Sequence, residues 1–148
     1  RRQRQMCIRD RLSRDYISRI IRTFFDSLEL IFTGDKEREE ERKAQLESMY
    51  TTYFGQSRDF FFEEKVEEIM ERLSEEDYFV EKCGMLGEIL YREFHRNEEN
   101  LVKLNLAHKI IYFYNYVNEH STDYSLIYVN RIMELENFCK DRVSSLES

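Results

Sequence analysis

Apolar side chains recur at intervals of three and four through six consecutive stretches of this chain, a spacing that gathers each stretch's apolar residues on one face of a helix. The first stretch carries Ile17, Ile20, Ile21, Phe24, Phe25, Leu28, Ile31 and Phe32, with Ser13 or Asp15 near its start and Gly34 after its end. Asp35 is placed to cap the second. Its first half, Lys36 to Lys43, is almost wholly charged, with Glu39 and Lys43 one turn apart; its second half brings Leu46, Met49, Tyr50, Tyr53 and Phe54 before Gly55. A third follows Ser57 with Phe61, Val66, Ile69, Met70 and Leu73. Ser74-Glu75-Glu76-Asp77 then reads as a capping box for a fourth, which carries Phe79, Cys83, Leu86, Ile89, Leu90 and Phe94. Asn97 or Asn100 opens a fifth through Leu101, Leu104, Ala107, His108, Ile111, Tyr114 and Val117. Ser121-Thr122-Asp123 starts a sixth through Leu126, Ile127, Val129, Ile132, Met133, Leu135 and Phe138, and Ser144 to Ser148 should fray.

Six such helices joined by short polar breaks predict an all-α fold of antiparallel neighbours, either an array of helical hairpins or a compact bundle, and argue against strands. With no Pro and four Gly, the sequence has little material for long loops or tight turns. The fifth predicted helix, apolar or aromatic nearly all round from Ile110 to Val117, must be central or covered on its outer face by a partner. Phe60-Phe61-Phe62 cannot all face one core from a helix, so one of them staples the preceding turn or is left exposed. Gly84 and Gly87 inside a helix cost about 1 kcal/mol each relative to Ala, which points to close helix–helix approach.

The opening run Arg1-Arg2-Gln3-Arg4-Gln5-Met6-Cys7-Ile8-Arg9-Asp10 has no apolar stretch behind its basic residues and so reads as no secretory signal. It resembles one translated reading frame of the adapter used in transposase-based sequencing libraries, and the adapter's end also allows Arg11. The resemblance implies that residues 1–11 are non-native, that the sequence comes from an assembled metagenomic read, and that residues 12–148 form a single all-α domain. Without residues 1–11 the chain holds 18 Lys+Arg against 29 Asp+Glu, a net charge of −11 in place of −7. An acidic body is repelled by phosphate backbones and anionic membranes, which argues against nucleic-acid binding. No run has the length of a membrane span. Cys83 and Cys139 offer neither C-x-x-C nor a disulfide framework, which fits a reducing cytoplasm.

Catalytic and cofactor constellations are not recognisable. The residues three before His95, His108 and His120 are Arg92, Asn105 and Val117, so the Glu-x-x-His of di-iron bundles is missing, as is H-x-x-x-H. Glu93, His95, Glu98 and Glu99 make the nearest metal-like group, read here as solvated charges at a helix end. Cys83 and Cys139 lie on apolar stripes as inert packing thiols, and His108 reads as a hydrogen-bonded histidine at the core edge. No glycine-rich phosphate loop occurs. Arg14, Arg19 and Arg22 line the polar side of the first helix, where the Glu-rich second helix is the simplest mate.

Leu86-Gly87-x-x-Leu90-Tyr91 followed by Ala107-x-x-x-Ile111 resembles half of a tetratricopeptide-type repeat, in which a small residue of the first helix meets a small one of the second. The spacing here is longer than usual and no second clean copy follows. Asp15-Tyr16-Ile17-x-Arg19-x-Ile21 opening such hairpins is similar to small bacterial helical domains of unknown function, and this resemblance implies architecture alone. The resulting expectation is a non-enzymatic interaction or scaffold module without cofactor or metal. Its aromatic last two helices would bind a protein segment or a second copy of the chain through Tyr112, Tyr116, Tyr124 and Tyr128. The alternatives are an enzyme whose site is scattered beyond recognition, and a nucleic-acid or membrane-surface binder working through the Arg-bearing first helix.

Overall fold

The computed structural model describes residues 2–33 and 38–147, with side chains over 12–33 and 38–142. Among the described residues the chain forms seven helices and no strand: α1 (Arg2–Thr33), α2 (Glu39–Phe54), α3 (Arg58–Glu63), α4 (Val66–Ser74), α5 (Phe79–Arg96), α6 (Asn100–His120) and α7 (Leu126–Glu147). The fold is all-α, as the apolar spacing predicts. Gly34 and Asp35, expected to end the first helix and cap the second, lie outside the described residues. The chain divides into two units, Arg1–Met49 and Tyr50–Ser148.

In the first unit α1 buries Ile17, Phe24, Leu28 and Ile31, the stripe read from the sequence, with Phe25 edge-on to Phe24 at 5.7 Å. Arg42 of α2 is only 6% exposed, and its Nε donates to the Ile31 carbonyl at 2.9 Å. The last carbonyls of a helix lack partners within it, and a guanidinium supplies one here. The expected Glu39–Lys43 pair does not form; Arg38 instead approaches Glu41 at 3.9 Å, an exposed pair of little energetic weight.

The second unit is built on α5, α6 and α7, with α6 in the middle. Ring and glycine contacts run antiparallel between α5 and α6 and again between α6 and α7. Gly87 lets α5 approach the Tyr114 ring of α6, and Gly84 lets it approach the Tyr128 hydroxyl of α7, so both glycines serve close approach. Leu86, Ile89, Leu90, Leu106, Ala107, Ile110 and Phe113 are fully buried between these helices.

The third predicted helix is two. Glu64 and Lys65 take extended backbone, with ψ of 155° at each, while the Glu64 N–H still donates to the Phe60 carbonyl. This break turns the Phe61 and Phe62 carbonyls toward α6. There Lys109, 4% exposed, donates from Nζ to both at 2.8 Å, and Asn105 Nδ2 donates to Phe62 at 2.8 Å. It also resolves the phenylalanine triplet. Phe61 is fully buried and stacks on Tyr50 at 5.6 Å, Phe60 lies edge-on to Phe61 at 5.3 Å, and the Arg58 guanidinium covers Phe62 at 4.0 Å.

Burial lowers the Lys109 ammonium to about 8, with Glu64 pulling the other way. Replacing Lys109 with methionine removes two hydrogen bonds to helix-end carbonyls and should lower stability by about 1–2 kcal/mol in urea denaturation at neutral pH. The unfolded chain holds the Lys109 proton up to its ordinary value, whereas the folded chain releases it near 8. Stability of the native chain relative to Lys109→Met therefore rises as the pH climbs through that window and is flat below it. A neutral amine keeps two N–H donors for the two carbonyls.

Two helix starts, those of α5 and α7, differ from expectation because local hydroxyl groups find nearer partners, whereas α6 begins at Asn100, one of its two expected openings. Ser74 closes α4 by donating to the Glu71 carbonyl, so the capping box does not form and α5 starts after Tyr78, which holds φ of 61° with no side-chain cap. Asn97 caps the end of α5 and accepts from the Glu99 N–H, leaving α6 to begin at Asn100. Ser125, rather than Ser121 to Asp123, caps α7: its Oγ accepts from the Tyr128 N–H at 3.2 Å, and Asn118 clasps its backbone N–H and C=O. The α7 backbone stays helical to Glu147, past the point where fraying was expected, with no Gly or Pro to stop it.

Candidate interaction surface

His108, Tyr112, Asn115 and Glu119 stand at steps of four, three and four on α6, and all four are exposed. That step pattern puts them in one row along the helix, opposite the fully buried Ala107, Ile110, Phe113 and Tyr114 that face its neighbours. α6 is thus the central helix of its unit, one of the two readings its all-round apolar stretch allowed, and this row is its outer face. With Ile111 and Tyr116 it lines an open groove of about 340 Å³. A second groove of about 320 Å³ is lined by Asn115, Asn118, Glu119, Tyr124, Val129, Ile132 and Met133. The two share Asn115 and Glu119 and so form one continuous surface across α6 and α7.

The structure places the four predicted tyrosines in different roles. Tyr112 is 47% exposed in the first groove, and Tyr124 is 67% exposed in the second. Tyr116 also lines the first groove, but one face of its ring is stacked on His120 at 3.9 Å and its edge meets Phe79 at 5.2 Å. Tyr128 points inward: it stacks on Tyr114 with ring centres 4.1 Å apart and planes 8° apart, and its hydroxyl lies against Gly84. Sequence reasoning missed Asn115, Glu119 and Met133, although the i, i+4, i+7, i+11 row that contains the first two was there to be read. His108 departs from its reading too, being exposed in the groove and without a hydrogen bond among the described residues. It stands on the solvent side of α6, one residue past the buried Ala107.

Charged groups are held behind this surface. Glu88 of α5, 4% exposed, pairs with Arg131 of α7 and lies 3.5 Å from Arg92. Arg131 also donates to the Tyr114 hydroxyl at 2.9 Å and lies over the Tyr91 ring at 4.2 Å. Burial alone would lower the guanidinium's proton affinity, but Glu88 and Tyr114 outweigh it and leave Arg131 raised. Burial pushes the Tyr114 phenol up against the opposing pull of Arg131, and it pushes Tyr91 up to about 12, helped by the hydrogen bond Tyr91 donates to Glu134 at 2.6 Å. Glu93 accepts from the Tyr50 hydroxyl and from Arg58 Nε at 2.9 Å, so it is a buried tie rather than a solvated helix-end charge. His95 turns to Glu134 at 3.2 Å instead of toward Glu93, Glu98 or Glu99. Among the described residues no group of His, Cys, Asp and Glu is arranged to hold a metal ion.

The Cys83 thiol is buried and pushed up to about 12 by that burial, which keeps it protonated and unreactive. Cys139 is half-buried and also raised. Arg14, Arg19 and Arg22 are exposed on α1 and make no ion pair among the described residues. No helix among the described residues is long and apolar enough to cross a membrane. In comparisons with known proteins, no family model, curated protein or solved structure matches this chain.

Proposed function

We propose that the chain is a non-enzymatic protein–protein interaction module that binds its partner across the outer faces of α6 and α7. One observation carries this reading: two adjoining grooves, lined in part by Tyr112, Tyr116 and Tyr124, meet at Asn115 and Glu119. Leu126, Ile127 and Met133 add exposed apolar area on the same helix as the second groove. Tyrosine suits such a half-wet surface because its ring is apolar and its hydroxyl can stay hydrated or bond across the interface. Tyr114 and Arg131, both raised, are mutually paired behind the grooves, where they hold helices together.

A photo-crosslinking residue at position 112 or 124 should yield one discrete adduct in cells, either with another protein or with a second copy of the chain. The same residue at Glu67, exposed on α4, should yield none. Tyr112→Ala and Tyr124→Ala should each weaken the captured interaction by about tenfold while changing stability by less than about 0.5 kcal/mol. Absence of any adduct specific to positions 112 and 124 would overturn the reading.

A further inference from the structure

We infer that the occupant of the α6–α7 surface is the apolar and basic face of an amphipathic helix from a partner protein, with an Arg or Lys side chain set against Glu119. This rests on the interaction reading above and specifies its partner. Glu119 lines both grooves, and no Lys or Arg lines either among the described residues. It makes no hydrogen bond or ion pair there, in contrast to Glu88 and Glu93, which are each neutralised by an arginine. An unpaired carboxylate at the junction of two partly apolar grooves selects against anionic partners and fixes the register of a cationic one.

The remaining features fit the same occupant. The second groove, between antiparallel α6 and α7, can receive a third helix by interleaving side-chain ridges; Val129, Ile132 and Met133 supply the apolar half of that contact, with Ile111 in the adjoining groove on α6. Tyr112 and Tyr124 are exposed, one in each of the grooves that Glu119 lines, and offer ring faces to a guanidinium or ammonium on the occupant. The formal charge of −7 adds a long-range attraction for a basic partner.

The test uses two labelled helical peptides sharing one leucine stripe, flanked by lysines in the first and by glutamates in the second, titrated with the full chain by fluorescence anisotropy. The lysine peptide should bind and the glutamate peptide should not. Glu119→Lys should weaken the lysine peptide by about tenfold, whereas Glu67→Lys, the same charge change on α4, should weaken it by no more than about twofold. Equal weakening by the two substitutions, equal binding of the two peptides, no binding of the lysine peptide, or light scattering showing the surface filled by a second copy would each overturn the inference. If adducts at positions 112 and 124 still form in cells, the interaction reading survives that failure; if they do not, both fall.

Discussion

Arg131→Met should destabilise the chain by about 3–5 kcal/mol in urea denaturation, because it strands the Glu88 carboxylate inside the α5–α6–α7 body. Glu88 is 4% exposed, and its other cation, Arg92, is 3.5 Å away with Nε as its nearest donor. The loss also strips the Tyr114 hydroxyl of its 2.9 Å donor and uncovers the Tyr91 ring. Most of the effect comes from a buried charge left with only the more distant Arg92, not from the intrinsic worth of the pair. The double substitution Glu88→Leu with Arg131→Met should therefore recover much of the stability, since neither charge then has to be desolvated. A double variant as unstable as Arg131→Met alone would show that packing of the long arginine stem dominates instead.

Gly87→Ala should cost about 2–3 kcal/mol, although alanine is the better helix former by about 1 kcal/mol. A Cβ on Gly87 would lie 2.6 Å from Cε1 and 2.9 Å from Cδ1 of Tyr114. That ring is fully buried, stacked on Tyr128 and bonded to Arg131, so it cannot turn aside without opening the contacts on its far side. Gly84→Ala is the matched control. Its nearest neighbour would be the Tyr128 hydroxyl at 3.1 Å, the far end of a side chain that can give by a few tenths of an ångström. Thermal unfolding should show Gly84→Ala close to the native chain and Gly87→Ala lower by roughly 6 °C or more.

The helical character of this chain was legible because burial follows the three-and-four spacing: Ile17, Phe24, Leu28 and Ile31 are inside on α1, and Cys83, Leu86, Ile89 and Leu90 on α5. The two internal glycines were legible for a related reason, since a helix rarely carries glycine unless another surface comes close. The break at Glu64 and Lys65 was not, because no local breaker marks it; the donor that satisfies the freed carbonyls sits on α6, at Lys109. Glu88 and Glu93 were invisible for the same reason. A charged residue inside an apolar stripe reads as solvated until the arginine that meets it, at 131 or at 58, is known. Of the predicted tyrosines, Tyr112 and Tyr124 face the grooves freely, while Tyr128 was drawn inward by the space that Gly84 leaves. No periodicity in α7 alone contains that information.

The six residues of α3 are too few for a helix to persist by itself in water. Arg58 at its first turn is gripped by a carboxylate of α5, and the carbonyls at its last turn are gripped by an amine of α6. Its order is thus borrowed at both ends from helices that hold together without it. Any motion that slides α5 along α6 by a fraction of a turn withdraws one of those loans, and the stretch from Gly55 to Lys65 becomes the part of the second unit that opens first and exchanges its amides earliest.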